Sequence, residues 1–271
     1  MNRIDLVAVG SLYAVDRDGA TDAGGIAADA VRAAKARGAS ATPVGRVGMD
    51  RSGRDIADRL LSDGFDVASV QVDSDLATPR RIQRGATIRL EPYAAFDNLQ
   101  FDSDVEALAR SAEAIVTDAC SRRHGQGRSA IDRMLIAAPN AVRVVDFVRR
   151  SPLVSGEDRL DRETFGNASE LCQVFVVDHI ALRTLMPAAA DDLDGARRLA
   201  SQTRAIAVVL LSDASATIVA SNASSGGSTA IDGPISGPIS GWNRSESCEA
   251  SVAMALAIVG GRPVREALSM R

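Results

Sequence analysis

The chain has 271 residues, 46% hydrophobic and 24% charged, a balance that suits one large α/β domain with a substantial core rather than a disordered or fibrous chain. Its 31 Lys+Arg against 35 Asp+Glu leave a formal charge of −4, which gives no broad attraction to nucleic acid or an anionic membrane, so neither is expected as a partner. Three widely separated cysteines, Cys120, Cys172 and Cys248, read as reduced thiols, and with two histidines and no Cys-x-x-Cys no structural zinc site is expected. No run of about eighteen apolar residues occurs, and the start MNRIDLVAVG passes straight into a strand pattern, which predicts a cytoplasmic protein.

Short β-branched runs alternate with Ala-rich segments of helical period from end to end, the pattern of βα units around a mostly parallel sheet. Ile4 to Val9 reads as a buried first strand ending in Gly10-Ser11, Gly25 to Arg37 as a helix stopped by Gly38, and Ala41 to Val47 as a strand. Ser52 to Asp63 reads as a helix with Ile56, Ala57, Leu60 and Leu61 on one face and Gly64 at its end. Between Asp66 and Leu90 the runs VASVQV, RRIQ and ATIRL suggest adjacent strands or a hairpin. Further strands are expected at Ala114 to Ala119, Ala141 to Asp146, Gln173 to Val177 and Ala205 to Leu211, with helices near Ser129 to Ala137 and Asp192 to Gln202. Ser221 to Gly241, rich in Ser and Gly, reads as an irregular loop, and Leu90, Tyr93 and Phe96 as either an exposed patch or part of the core.

Three blocks in order, VAVGS at Val7 to Ser11, GGIAADAVRAAKARGA at Gly24 to Ala39, and GRVGMDRSGRDIADRLLSDGFD at Gly45 to Asp66, resemble the ribokinase or PfkB family of small-molecule kinases. The resemblance implies a single ribokinase-like α/β domain over residues 1–271, with a mostly parallel central sheet flanked by helices. It also implies a lid, expected here to be reduced because the connection VDRDGATDA is short, with a strand-rich contribution around 66–91. Related proteins often pair through their lids, so a homodimer is a further expectation.

On physical grounds Gly24 and Gly25 admit a close approach to a ligand, and the helix after them points N–H groups and a positive dipole end at it. Asp29 stands where the family usually has an asparagine that binds substrate hydroxyls, and Asp16 lies near a second family aspartate; both can accept from a sugar or nucleoside. The expected partner is thus a small polar metabolite, while the blander reading of both residues is solvated carboxylates.

The family implies ATP and Mg²⁺ as well, but the signature Asp-Thr-x-Gly-Ala-Gly-Asp has as its counterpart NRSESCE at Asn243 to Glu249. Glu246 and Cys248 stand at the two glycine positions, so Ser247 and Cys248 form at best a degraded anion hole, and Glu249 is the counterpart of the catalytic base. After QVFVV the family's Asn-x-x-Glu is replaced by Asp178-His179-Ile180-Ala181, and after AVVLL its glycine-rich turn is replaced by SDASAT. These departures predict a sugar-kinase homologue that binds a polyhydroxylated ligand or a protein partner with phosphoryl transfer impaired or lost. The alternatives are an active carbohydrate or nucleoside kinase using Glu249 as base, and an unrelated α/β binding protein.

Overall fold

Strand β1 (Leu6–Val9) is buried on both faces, which explains its unbroken apolar sequence: Leu6 and Ala8 enter one core, Val7 and Val9 the other. The same alternation recurs in the parallel strands β4 (Ala41–Gly48), β8 (Ala114–Asp118), β9 (Val142–Asp146), β10 (Val174–Asp178) and β11 (Ala207–Leu211). With the edge strand β5 (Val70–Asp73), the antiparallel β12 (Ser215–Ala220) and the short β13 (Ile239–Ser240) they form a nine-stranded sheet ordered β13-β12-β11-β10-β9-β8-β1-β4-β5. The computed structural model describes residues 3–17, 20–84, 87–90, 95–122, 125–148, 168–203, 205–213, 215–220, 239–240, 246–263 and 266–268.

Helices α1 (Ile26–Ala36), α2 (Arg51–Ser62) and α7 (Ser247–Val259) cover one face of the sheet. Helices α3 (Ser103–Ser111), α4 (Gly125–Ala137), α5 (His179–Leu185) and α6 (Asp192–Gln202) cover the other. Fully buried side chains such as Phe147 and Phe175, which stack 6.0 Å apart, each contribute roughly 2–3 kcal/mol by leaving water. Helix α2 starts at Asp50, whose carboxylate accepts from Gly53 N at 2.7 Å, and ends before Gly64, whose φ of +84° turns the chain.

A second sheet, ordered β3-β2-β6-β7, corrects the expected strand assignment. The short connection after β1 folds into a hairpin of β2 (Tyr13–Arg17) and β3 (Ala20–Gly24), where no strand was expected. Strands β6 (Arg80–Arg84) and β7 (Thr87–Leu90) complete this sheet, β6 lying parallel to β2. The VASVQV run does not join them; its β5 pairs with β4 in the main sheet. The second sheet thus has four strands, built despite the short connection. Phe96, in a 3-10 turn at Ala95–Asn98, is buried, whereas Tyr93 and nearly all of Ser221 to Gly241 lie outside the described residues. None of the described helices is long and apolar enough to cross a membrane.

Candidate functional site

Strand order reverses at β1: β4 and β5 lie on one side, β8 to β11 on the other. In such sheets the crevice at the carboxyl ends of the two strands flanking the reversal is the natural ligand site. The C-terminal ends of α1 and α7, residues 36–39 and 253–260, line one cavity of about 640 Å³ with Asp5 and Glu113, at the amino ends of β1 and β8. The two helices thus run side by side, and both begin at the opposite edge, over the crevice.

At that edge the loops after β1 and β8 are stitched together. Ser11 N donates to Ser121 Oγ at 2.8 Å, and Ser121 donates through both its N–H (2.8 Å) and its hydroxyl to Asp118 Oδ1. A Cβ on Gly10 would stand 2.2 Å from Ser121 Oγ, so glycine there is what lets the loops close.

The Gly-Gly entrance to α1 differs from its sequence reading. A Cβ on Gly24 would lie 2.6 Å from the Tyr13 ring, and one on Gly25, where φ is +104°, 2.1 Å from Ser11 O. Two N–H groups expected to face a ligand are taken by the chain: Ile26 N donates to Ser11 Oγ and Ala27 N to Ser11 O, each at 3.3 Å. The glycines answer to close packing of Ser11 and Tyr13, which patterning along one segment does not reveal. Asp29 is half-buried in the first turn of α1.

Asp16 shares its face of β2 with Ala14, toward α2, while Tyr13 and Val15 take the other. Both Asp16 oxygens accept from Arg80 Nη2, at 2.7 and 2.8 Å, and Arg80 Nη1 reaches Ser52 of α2 at 3.2 Å. Asp16 and Asp29 thus lie on separate elements, β2 and α1. Tyr13 instead packs with Phe96 and Cys120 in a small apolar cluster beneath the second sheet.

At the start of α7, Glu246 is the N-cap residue and makes no capping bond to the helix, and Glu249 lies exposed in the first turn. Ser247 and Cys248 are buried, with Cys248 in the apolar core, so the thiol fills packing space and not the approach to the helix end. Asp178 caps α5 by accepting from Ala181 N at 2.8 Å. The turn after β11 satisfies itself: Ser212 N donates to Ser215 O at 2.8 Å, and Ser215 N to Ser212 Oγ at 3.0 Å.

Two features escaped the sequence reading. Asp118, Asp146 and Asp178 end three adjacent strands, on the face that α1 and α7 cover, and all are buried; Asp146 Oδ1 closes its turn by accepting from Val148 N at 2.9 Å. The signal was there, since the strands end in VTD, VVD and VVD. The other is Arg122, fully buried and paired with Asp132 of α4 on the opposite face. Carboxylates thus gather where α1 and α7 begin, and no group of three or more His, Cys, Asp or Glu among the described residues could hold a metal ion.

No family model matches the sequence, and no match is found among curated proteins. Solved structures do match. A PfkB protein from Polaromonas sp. JS666 is 18% identical, with a TM-score of 0.73 over 98% of this chain and 92% of that one. Fructokinase from Xylella fastidiosa with bound ATP is 15% identical, with a TM-score of 0.75 over 96% and 82%. Halothermothrix orenii fructokinase is 14% identical, with a TM-score of 0.74 over 99% of both chains. A doubly covered, mostly parallel sheet, a second four-stranded sheet beside its carboxyl ends, and this agreement across nearly the whole chain together identify the ribokinase-like α/β fold.

Proposed function

We propose that this protein is a sugar-kinase homologue that binds a small polyhydroxylated ligand, a sugar or nucleoside, between the second sheet and the start of α1, with ATP-dependent phosphoryl transfer impaired or lost. The observation that carries the reading is the make-up of the α7 entrance: Glu246 and Glu249 flank it, and Asp118, Asp146 and Asp178 lie at the strand ends beneath the helix. A migrating phosphate needs donors and positive charge; five carboxylates oppose it by Coulomb repulsion, strongest where water is excluded. The residues present also fit ATP and Mg²⁺ poorly. In the turn after β11 the Ser212 and Ser215 N–H groups are bonded within the turn, and Asp178 Oδ1 caps α5. On the sugar side, half-buried Asp29 in the first turn of α1 supports the reading, since a carboxylate there can accept from ligand hydroxyls.

Thermal unfolding with D-ribose, D-fructose, adenosine and Mg-ATP tests this reading, since a ligand that binds only the native state raises the melting temperature. The expected result is a shift with a sugar or nucleoside and none with Mg-ATP. The exposure of Glu249 favours one second reading, an active kinase in which this carboxylate takes the hydroxyl proton. ADP release that disappears in Glu249→Gln would establish it and overturn the first.

A further inference from the structure

The third glycine-rich block has no ligand role in the reading above, yet it forms a socket. The segment 74–79 carries the chain from β5 in the main sheet to β6 in the second. Its Thr78 is buried and held bidentately by Asp50: Thr78 N donates to Oδ2 at 2.7 Å and Thr78 Oγ1 to Oδ1 at 2.8 Å. Thr78 Oγ1 in turn accepts from Gly48 N at 2.8 Å. The socket admits the strap because it is lined by glycine. A Cβ on Gly48 would lie 2.5 Å from Leu76 O and 2.6 Å from Thr78 N, and one on Gly53 2.9 Å from Thr78 Oγ1.

What Thr78 fixes passes directly into the second sheet. The next residue, Pro79, accepts through its carbonyl from Ala14 N at 2.8 Å, and Arg80 opens β6 opposite Ala14. Tyr13, adjacent to Ala14, abuts Gly24 and packs on Phe96 and Cys120 beside the α1 entrance. We infer that Asp50 and Thr78 are positioning residues for the ligand site, setting the pose of the second sheet over the start of α1 from outside the pocket. The ligand half of this inference rests on the binding reading above; the strap half does not.

The test compares Thr78→Val, which keeps shape and N–H but loses the hydroxyl, with Thr78→Ser, which restores it. Hydrogen exchange of the full chain without ligand reports the strap. In Thr78→Val the Ala14 amide should exchange about ten- to a hundredfold faster, as expected for the two buried hydrogen bonds that the hydroxyl makes, and Thr78→Ser should approach wild type. Amides of β8 and β9 should not change. Affinity for whichever of D-ribose, D-fructose or adenosine stabilises the wild type should fall by a similar factor in Thr78→Val alone. Unchanged exchange at Ala14, or equal acceleration in β8 and β9, overturns the positioning role whatever the ligand. Faster exchange with unchanged affinity overturns its link to binding. A wild type that binds none of the three probes overturns the binding reading and the ligand half with it, while the exchange at Ala14 still decides the strap.

Discussion

Asp73 ends β5, is 2% exposed, and anchors the near end of the strap. Its Oδ1 accepts from the Asp75 and Leu76 amides, both at 2.9 Å, and its Oδ2 from Asn98 Nδ2 at 2.7 Å and Arg46 Nε at 2.8 Å. Burial alone would raise the carboxyl pKa, but the bonds from Asn98, Asp75 and Leu76 and the Arg46 charge bring it down from 3.8 to about 2. At roughly 1.4 kcal/mol per pH unit, the ionised group contributes up to about 2 kcal/mol to folding. A folded-state pKa below the unfolded one means that this stability is present above 3.8 and is lost as pH falls through about 2. In Asp73→Asn the amide can still accept from the two backbone N–H groups, but its own NH₂ then faces two donors, a loss of about 2–4 kcal/mol. Urea unfolding of both proteins across acid pH checks this. The difference in stability should be full near pH 6 and shrink by about 2 kcal/mol toward pH 2. A difference independent of pH would refute the assignment of that carboxylate as the ionised hub of the strap.

Two further substitutions probe the site edge. Arg122→Met leaves the Asp132 carboxylate without its buried guanidinium and should destabilise by about 3–5 kcal/mol, with Asp132→Asn in the same chain recovering part of the loss; additive effects in urea unfolding would deny the pair. Gly25→Ala imposes a side chain at φ +104° and 2.1 Å from Ser11 O, so it should cost at least about 2 kcal/mol, and a wild-type urea midpoint would show that Ser11 does not fix this turn.

The main sheet was legible because its strands are apolar on both faces, and β1, β4, β8, β9, β10 and β11 fall within a few residues of their expected places. Helices α1, α2 and α6 did as well, each marked by periodicity and a terminal signal such as Gly38 or Gly64. The hairpin β2–β3 was not legible, since its run VDRDGATD is mostly polar, which leaves no hydrophobic period to detect. In the candidate site, the glycines at 24 and 25 were noticed, but their neighbours Ser11 and Tyr13 come from a different strand end. Arg122 gave no sign at all, because a lone arginine beside a loop reads as surface until its partner on α4 is known.

The parallel pairing of β2 with β6 joins segments far apart in sequence, with Asp16 and Arg80 separated by 64 positions. Everything between them, including α1, β4, α2 and β5, must first be laid down before that ladder has both of its sides. Loop-closure entropy makes such a ladder slow to nucleate, as it does the still longer-range pairing of β1 with β8, so both should gain native protection after the local β2–β3 hairpin during refolding. A chain newly released from the ribosome would therefore pass through a stage in which strands β2 and β3 are paired with each other while β2 still lacks its parallel neighbour β6.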